Sequence, residues 1–150
     1  MIKIYIFADS HKHFTDAVSE YKKRLWKQVE VIELKPVKKW TSQQIIEAET
    51  KLLQGKLDSQ NWYKVVLSPN GKNISTDKFR EIIENQKNSG NHVLLALGWA
   101  NGLDYSLLKS SVDFELSLGQ MILPHSLAFT ILLEQIYRCS EIERGSSYHK

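Results

Sequence analysis

The end of the chain constrains its fold most. Residues 116–150 read LSLGQMILPHSLAFTILLEQIYRCSEIERGSSYHK. An apolar strand runs into a Pro-His turn, then a nearly all-apolar helix over 127–142, then a polar tail ending Tyr148-His149-Lys150. Leu127, Ala128, Phe129, Ile131, Leu132 and Leu133 place apolar groups on most sides of that helix. A helix that is apolar all round must be buried. One domain of 150 residues is not expected to cover it alone, so a second subunit is the expected cover. Most chain ends are frayed and solvated. This one carries aromatic, imidazole and cationic groups directly after a buried helix, which predicts a tail that folds back to a site and closes it.

The rest of the chain supplies the sheet. Ile2–Phe7 and Val29–Leu34 are β-rich runs, and between them Phe14, Ala17, Val18, Tyr21 and Leu25 recur at helical spacing. Thr41 and Gln44 form a capping box for the next helix. A third strand is expected at 63–67 and a loop at 68–75, where Ser75 or Thr76 caps a helix carrying Phe79, Ile82 and Ile83. Residues 92–97 lack polar alternation after the first, as in a parallel strand covered on both faces. A short helix near 105–110 and a fifth strand at 114–118 complete a β-α order repeated five times. The expected class is α/β with a largely parallel sheet, in a single domain over 1–150.

Composition removes several alternatives. No apolar run approaches the ~20 residues needed to span a bilayer, and the first residues read as a strand rather than a leader. One cysteine, Cys139, excludes an intrachain disulfide and fits a reducing, cytoplasmic compartment. The five histidines have no metal-ligand spacing, so no metal is expected. Net charge is only +3, but residues 1–40 hold nine Lys/Arg against five Asp/Glu. The basic clusters Lys22-Lys23-Arg24 and Lys35, Lys38, Lys39 can meet phosphate or simply line a solvated face.

Ligands of open parallel sheets bind outside the carboxyl ends of the strands. Three glycine-containing loops, at 68–75, 98–102 and 119–125, fall at such ends. Neither GxGxxG nor GxxxxGK[ST] is present, so neither a dinucleotide fingerprint nor a P-loop is expected. Pro124 suits the first turn of the last helix, and His125 would lie near that helix's positive end. A neutral imidazole there can act as base or hydrogen-bond partner.

These residues form a recognisable set. EYKKRL (20–25), NGK (70–72) followed by Ser75, ALGWANGL (96–103), LSLGQMILPH (116–125), LEQIYR (133–138) and GSSYHK (145–150) resemble the ribosomal large-subunit methyltransferase H family along essentially the whole chain. The resemblance implies a SPOUT-type α/β fold with a C-terminal trefoil knot, a homodimer and methylation of N3 of a pseudouridine in the 23S rRNA of the assembled ribosome. It implies S-adenosylmethionine as cofactor, held by Leu67, Gly98, Leu118, Gly119, Gln120, Met121, Ile122 and Leu123. Catalytic roles map to His125, Arg138, Tyr148 and His149, and substrate binding to Tyr137 and Lys150. The chain departs from the family at Trp99, where a second glycine is usual, and at Phe129, where arginine is usual. It departs also at Asp9-Ser10, where Val-Gly is usual, and at Ser68, where an acidic residue is common. Trp99 and Phe129 support one alternative, a ribosome-binding relative whose methyl transfer is lost or changed; the strand-helix alternation alone suggests another, a flavodoxin-like small-molecule binder. Removal of the last three residues is expected to abolish turnover while lowering stability by no more than ~0.5 kcal/mol.

Overall fold

The computed structural model describes residues 1–38, 40–98 and 101–150. Trp99, the departure beside the expected cofactor loop, lies outside the described residues. Among them the elements run β1 (Ile2–Phe7), α1 (Thr15–Leu25), β2 (Val29–Leu34), α2 (Ser42–Asp58), β3 (Tyr63–Asn73), α3 (Thr76–Asn88), β4 (Val93–Leu97), α4 (Tyr105–Leu108), β5 (Phe114–Ser117) and α5 (His125–Glu143). The strands form one sheet in the order β2-β1-β4-β3-β5, and every neighbouring pair is parallel. The β-α alternation of the sequence therefore gives the expected α/β fold.

Side chains alternate across a strand, so each strand feeds two cores. Ile4, Ile6, Val65, Leu67, Leu95 and Leu97 face α1, α3 and α5, where they meet Val18, Leu25, Phe79, Phe129, Leu132, Leu133 and Ile136. Tyr5, Phe7, Val66, Leu94 and Ala96 face α2 and α4 and meet Leu53, Leu57 and Leu108. Phe129, Leu132 and Leu133 are fully buried within the single chain. The sheet thus covers much of the apolar helix that the sequence would have left to a second subunit. Leu127, Ala128 and Ile131 stay half-buried.

The caps agree with the sequence. Thr41 and Gln44 make the reciprocal capping box of α2, and the Ser75 hydroxyl accepts from the Lys78 amide at α3. Strand β3 differs from expectation. It extends to Asn73, where residues 68–75 read as a loop. Pairing with β5 breaks after Leu67 and resumes at Lys72, so only the intervening residues are looped out. Gly71 permits this: a Cβ there would lie 2.7 Å from the Leu116 carbonyl carbon. Composition flagged a turn, but the close backbone approach could not be seen without the partner strand.

Candidate active site

A cavity of about 280 Å³ opens at the carboxyl ends of β3, β4 and β5. Its walls are Leu67, Ser68 and Pro69 after β3, Leu97 and Gly98 at β4, and Leu116 to Gly119 with Met121, Ile122 and Leu123 after β5. Asn101, Gly102, Tyr105 and Ala128 complete it. No charged side chain is among these residues. Gly98 must lack a side chain, since a Cβ would lie 2.8 Å from Cγ of buried Leu103. The following loop is tied down where the Asp104 amide donates to Thr50 Oγ1 at 2.9 Å and the Asp104 carboxylate caps α4. Ser117 fixes the β5 exit, its hydroxyl donating to the Gly119 carbonyl at 2.7 Å. Burial, aided by Glu115, pushes the Tyr105 phenol up to about 12, so it stays neutral.

The structure gathers seven of the eight expected cofactor residues around this cavity: Leu67, Gly98, Leu118, Gly119, Met121, Ile122 and Leu123. Gln120 is exposed outside the lining. Tyr105, Asn101 and Ala128 were missed. Tyr105 lies in the four-residue α4, Asn101 in the loop after β4 and Ala128 in the first turn of α5, and only the folded strand ends bring the three together. Met121 and Ile122 are 81% and 88% exposed, an apolar lip on the cavity.

His125 begins α5 one residue after the Pro124 cap. Burial and then the nearby His11 lower its pKa, which favours the neutral ring near neutral pH. The sequence pointed to the helix field; desolvation and a second histidine are the larger causes here. His11 stacks on Phe129 with centroids 5.1 Å apart, and its Nε2 lies 3.2 Å from Glu33. Burial works to raise Glu33, but hydrogen bonds from Lys22 and His11 outweigh it and hold the carboxyl below its ordinary value. Phe129 is therefore a core residue packed on His11, where an arginine would put a charge at a fully buried position.

The remaining site residues form a second cluster further along α5. Glu134 accepts from Nε and Nη2 of Arg138 at 2.9 and 2.6 Å and from the Tyr148 hydroxyl at 3.2 Å. The Tyr148 ring meets Tyr137 edge-on at 5.0 Å, and the Arg138 guanidinium lies 4.9 Å from it. Tyr21 of α1 joins through its hydroxyl, 3.5 Å from that of Tyr148. This contact, then burial and Glu134, holds the Tyr148 phenol well above its usual range. His149 and Lys150 are exposed.

The tail does fold back, but onto α1 and α5 rather than over the cavity of its own protomer. Nine residues separate His125 from Glu134, about 13 Å along the helix. The sequence left Glu134, Tyr137 and Arg138 open as a salt-bridged helix exit or part of a ligand site; the Glu134–Arg138 salt bridge forms, and Tyr21 was missed as a member of this cluster. An i,i+4 Glu-Arg pair and a helical-face tyrosine both have ordinary structural uses, and the long-range contact to Tyr148 is what distinguishes them.

A parallel α/β sheet with an uncharged cleft at the carboxyl ends of three strands is the arrangement of an α/β domain that binds a small cofactor or substrate there. The chain belongs to the SPOUT methyltransferase family: residues 1–149 match the family described as predicted SPOUT methyltransferase. Among individual proteins, it is 36% identical to the ribosomal RNA large subunit methyltransferase H of Francisella tularensis subsp. novicida, over 93% of this chain and 92% of that one. The protein of the same name from Caldicellulosiruptor bescii is 35% identical over the whole of both chains. That from Ruminiclostridium cellulolyticum is 37% identical over 93% of this chain and 92% of its own. Membership removes the flavodoxin-like alternative and implies a methyl donor. No helix among the described residues is long and apolar enough to cross a membrane. Nor do those residues contain a group of three or more His, Cys, Asp or Glu able to hold a metal.

Proposed function

We propose that the protein transfers a methyl group from S-adenosylmethionine to N3 of a pseudouridine in large-subunit ribosomal RNA, on the assembled ribosome in the cytoplasm. The observation that carries this reading is the uncharged cleft, built from the same segments that match the methyltransferase H relatives. The cleft suits the cofactor. Leu67, Leu97, Leu118 and Leu123 offer an apolar slot for a purine, and Ser68, Ser117 and Asn101 offer polar groups for a ribose. The bare backbone at Gly98 allows close approach, and no lining carboxylate or ammonium competes with the donor's own charges.

The bound cofactor supplies an electrophilic methyl group. The protein must align the acceptor nitrogen with it, favour loss of the N3 proton and exclude water. His125, half-buried at the cleft's edge and held neutral, is suited to accept or orient that proton. The Met121-Ile122 lip is placed to cover a base turned out of its helix. Tyr137 and Arg138 lie too far along α5 to touch the same base from within one chain, and Tyr148 is docked beside them, with His149 and Lys150 following it. They are positioned to hold the RNA strand beside it, or to serve a partner's cleft. A homodimer belongs to this reading. Its support is the half-buried Leu127 and Ile131 together with the exposed lip, and sedimentation equilibrium at micromolar concentration checks it. The trefoil knot implied by family membership is part of the same proposal.

Incubating the protein with radiolabelled S-adenosylmethionine and ribosomes lacking this modification tests the function. Label should enter the large-subunit RNA at one pseudouridine, located by nuclease mapping and mass spectrometry. Absence of incorporation, with saturable cofactor binding intact, would favour the ribosome-binding relative that no longer transfers methyl groups.

A further inference from the structure

The strip of aromatic and cationic groups does not stop at the tail. Arg24 of α1 lies 5.2 Å from the Tyr137 ring and 6.0 Å from that of Tyr21. Two residues further, at the end of α1, Trp26 is 71% exposed, and the Lys27 ammonium lies 5.1 Å from its ring centroid. Lys23 and Lys27 are exposed and form no ion pair with an acidic side chain among the described residues. Lys22 and Arg24 are partly neutralised by Glu33 and Glu20. The outermost step of the strip therefore combines the barest ring with the least compensated charge.

We propose that Trp26, with Lys23 and Lys27, is a stacking subsite for an unpaired nucleotide of the RNA substrate, next to the strand held at Arg138 and Tyr148. This rests on the reading that the substrate is RNA and adds that the bound segment is single-stranded. The argument is one of charge and shape. A flat exposed ring accepts any base face, and flanking ammonium groups meet the phosphates on either side, the pairing used by single-strand binders. A protein partner fits less well, because the centres of protein interfaces are depleted in lysine, which here surrounds the ring. A duplex fits less well because its bases are already stacked and its edges, not its faces, are offered.

The test uses the full-length protein and a short unstructured oligouridylate, with a hairpin RNA of equal charge as comparison. Trp26→Phe and Trp26→Ala both remove the Trp26 indole, one of four in the chain; only the second removes the stacking face. We expect oligouridylate to quench wild-type fluorescence by an amount that Trp26→Phe abolishes. Affinity by anisotropy should fall about ten- to a hundred-fold in Trp26→Ala and much less in Trp26→Phe. Lys27→Ala should reduce the slope of log affinity against log salt by about 0.7, the loss of one phosphate contact on a single strand. Unchanged affinity in Trp26→Ala, with its circular dichroism and melting temperature intact, would overturn the proposal. So would a preference for the hairpin, or a change of oligomeric state in Trp26→Ala, which would assign the ring to a second copy of the chain. Methylation of ribosomes is scored separately, so a wild-type protein that methylates while Trp26→Ala binds normally would sink this subsite alone.

Discussion

Removing Tyr148, His149 and Lys150 should separate stability from catalysis, and the structure gives the size of both effects. The sequence alone predicted an almost neutral change in stability. Tyr148, however, makes an edge-on contact to Tyr137, packs under Arg138 and donates to Glu134. Such an aromatic pair contributes ~0.5–1.5 kcal/mol and a partly exposed cation-π contact ~0.5–1 kcal/mol. A net hydrogen bond adds about 1 kcal/mol. Ordering the Tyr148 backbone costs about 1–2 kcal/mol. The balance is about 0–2.5 kcal/mol, centred a little above 1 kcal/mol, or roughly 2–5 °C in melting temperature at that centre for a domain of this size.

His149 and Lys150 are exposed, so a chain ending at Tyr148 should melt like the full one. Calorimetry on both truncations, with and without S-adenosylmethionine, reads this directly. The cofactor should raise the melting temperature of all three proteins equally, since nothing in its cleft comes from the tail. Ribosome methylation should fall steeply in both truncations if the Lys150 ammonium and the His149 ring hold the RNA, since both groups are lost in each. If the chain lacking all three residues melts within a degree of wild type, Tyr148 is not docked in solution. If it also methylates normally, the tail has no part in the reaction.

Three further changes follow from buried groups and the cleft. Glu49 is fully buried, with Oε1 accepting from the Val37 amide at 2.9 Å and Oε2 unpaired among the described residues. Burial raises its pKa, so its favourable contribution is complete below the unfolded carboxyl pKa and is lost as pH rises through the folded value. Glu49→Gln should therefore raise urea stability at pH 7–8 and leave it unchanged near pH 4; equal shifts at both pH values would refute the burial argument. The Cys139 thiol, buried and pushed up to about 12 by desolvation, should resist a thiol reagent at pH 8 until the protein unfolds. Gly98→Ala should weaken S-adenosylmethionine binding at least tenfold, because the new methyl collides with Leu103; calorimetric titration at wild-type affinity would show that the loop simply yields.

The sheet was legible because each strand carries its own signal. Val93–Leu97 is apolar on both faces and is the central β4, and Thr41 with Gln44 marked the start of α2 correctly. Long-range contacts were not legible. The extension of β3 depends on Gly71 pressing against β5, and no window of sequence contains both. The same limit shaped the site. The run 118–123 and Gly98 were found through the family resemblance of LSLGQMILPH and ALGWANGL, since glycines after strands are ordinary turn residues on their own. Tyr105 was missed because its local pattern is ordinary.

Phe129 shows how the two kinds of information combine. Read in one dimension, a phenylalanine where relatives carry arginine weakens the case for an RNA-binding enzyme. In the fold, that position is fully buried against His11, which itself pairs with Glu33 and lowers the pKa of His125. His11 lies in the segment where Asp9 and Ser10 also depart from the family, so changes distant in sequence meet at one place. The cationic groups of the surface lie elsewhere: Arg24 of α1 sits over Tyr137, the neighbour of Arg138, Arg138 sits over Tyr148, and Lys27 sits over Trp26. A phenylalanine buried at 129 takes nothing from that surface, because a fully buried side chain does not reach it.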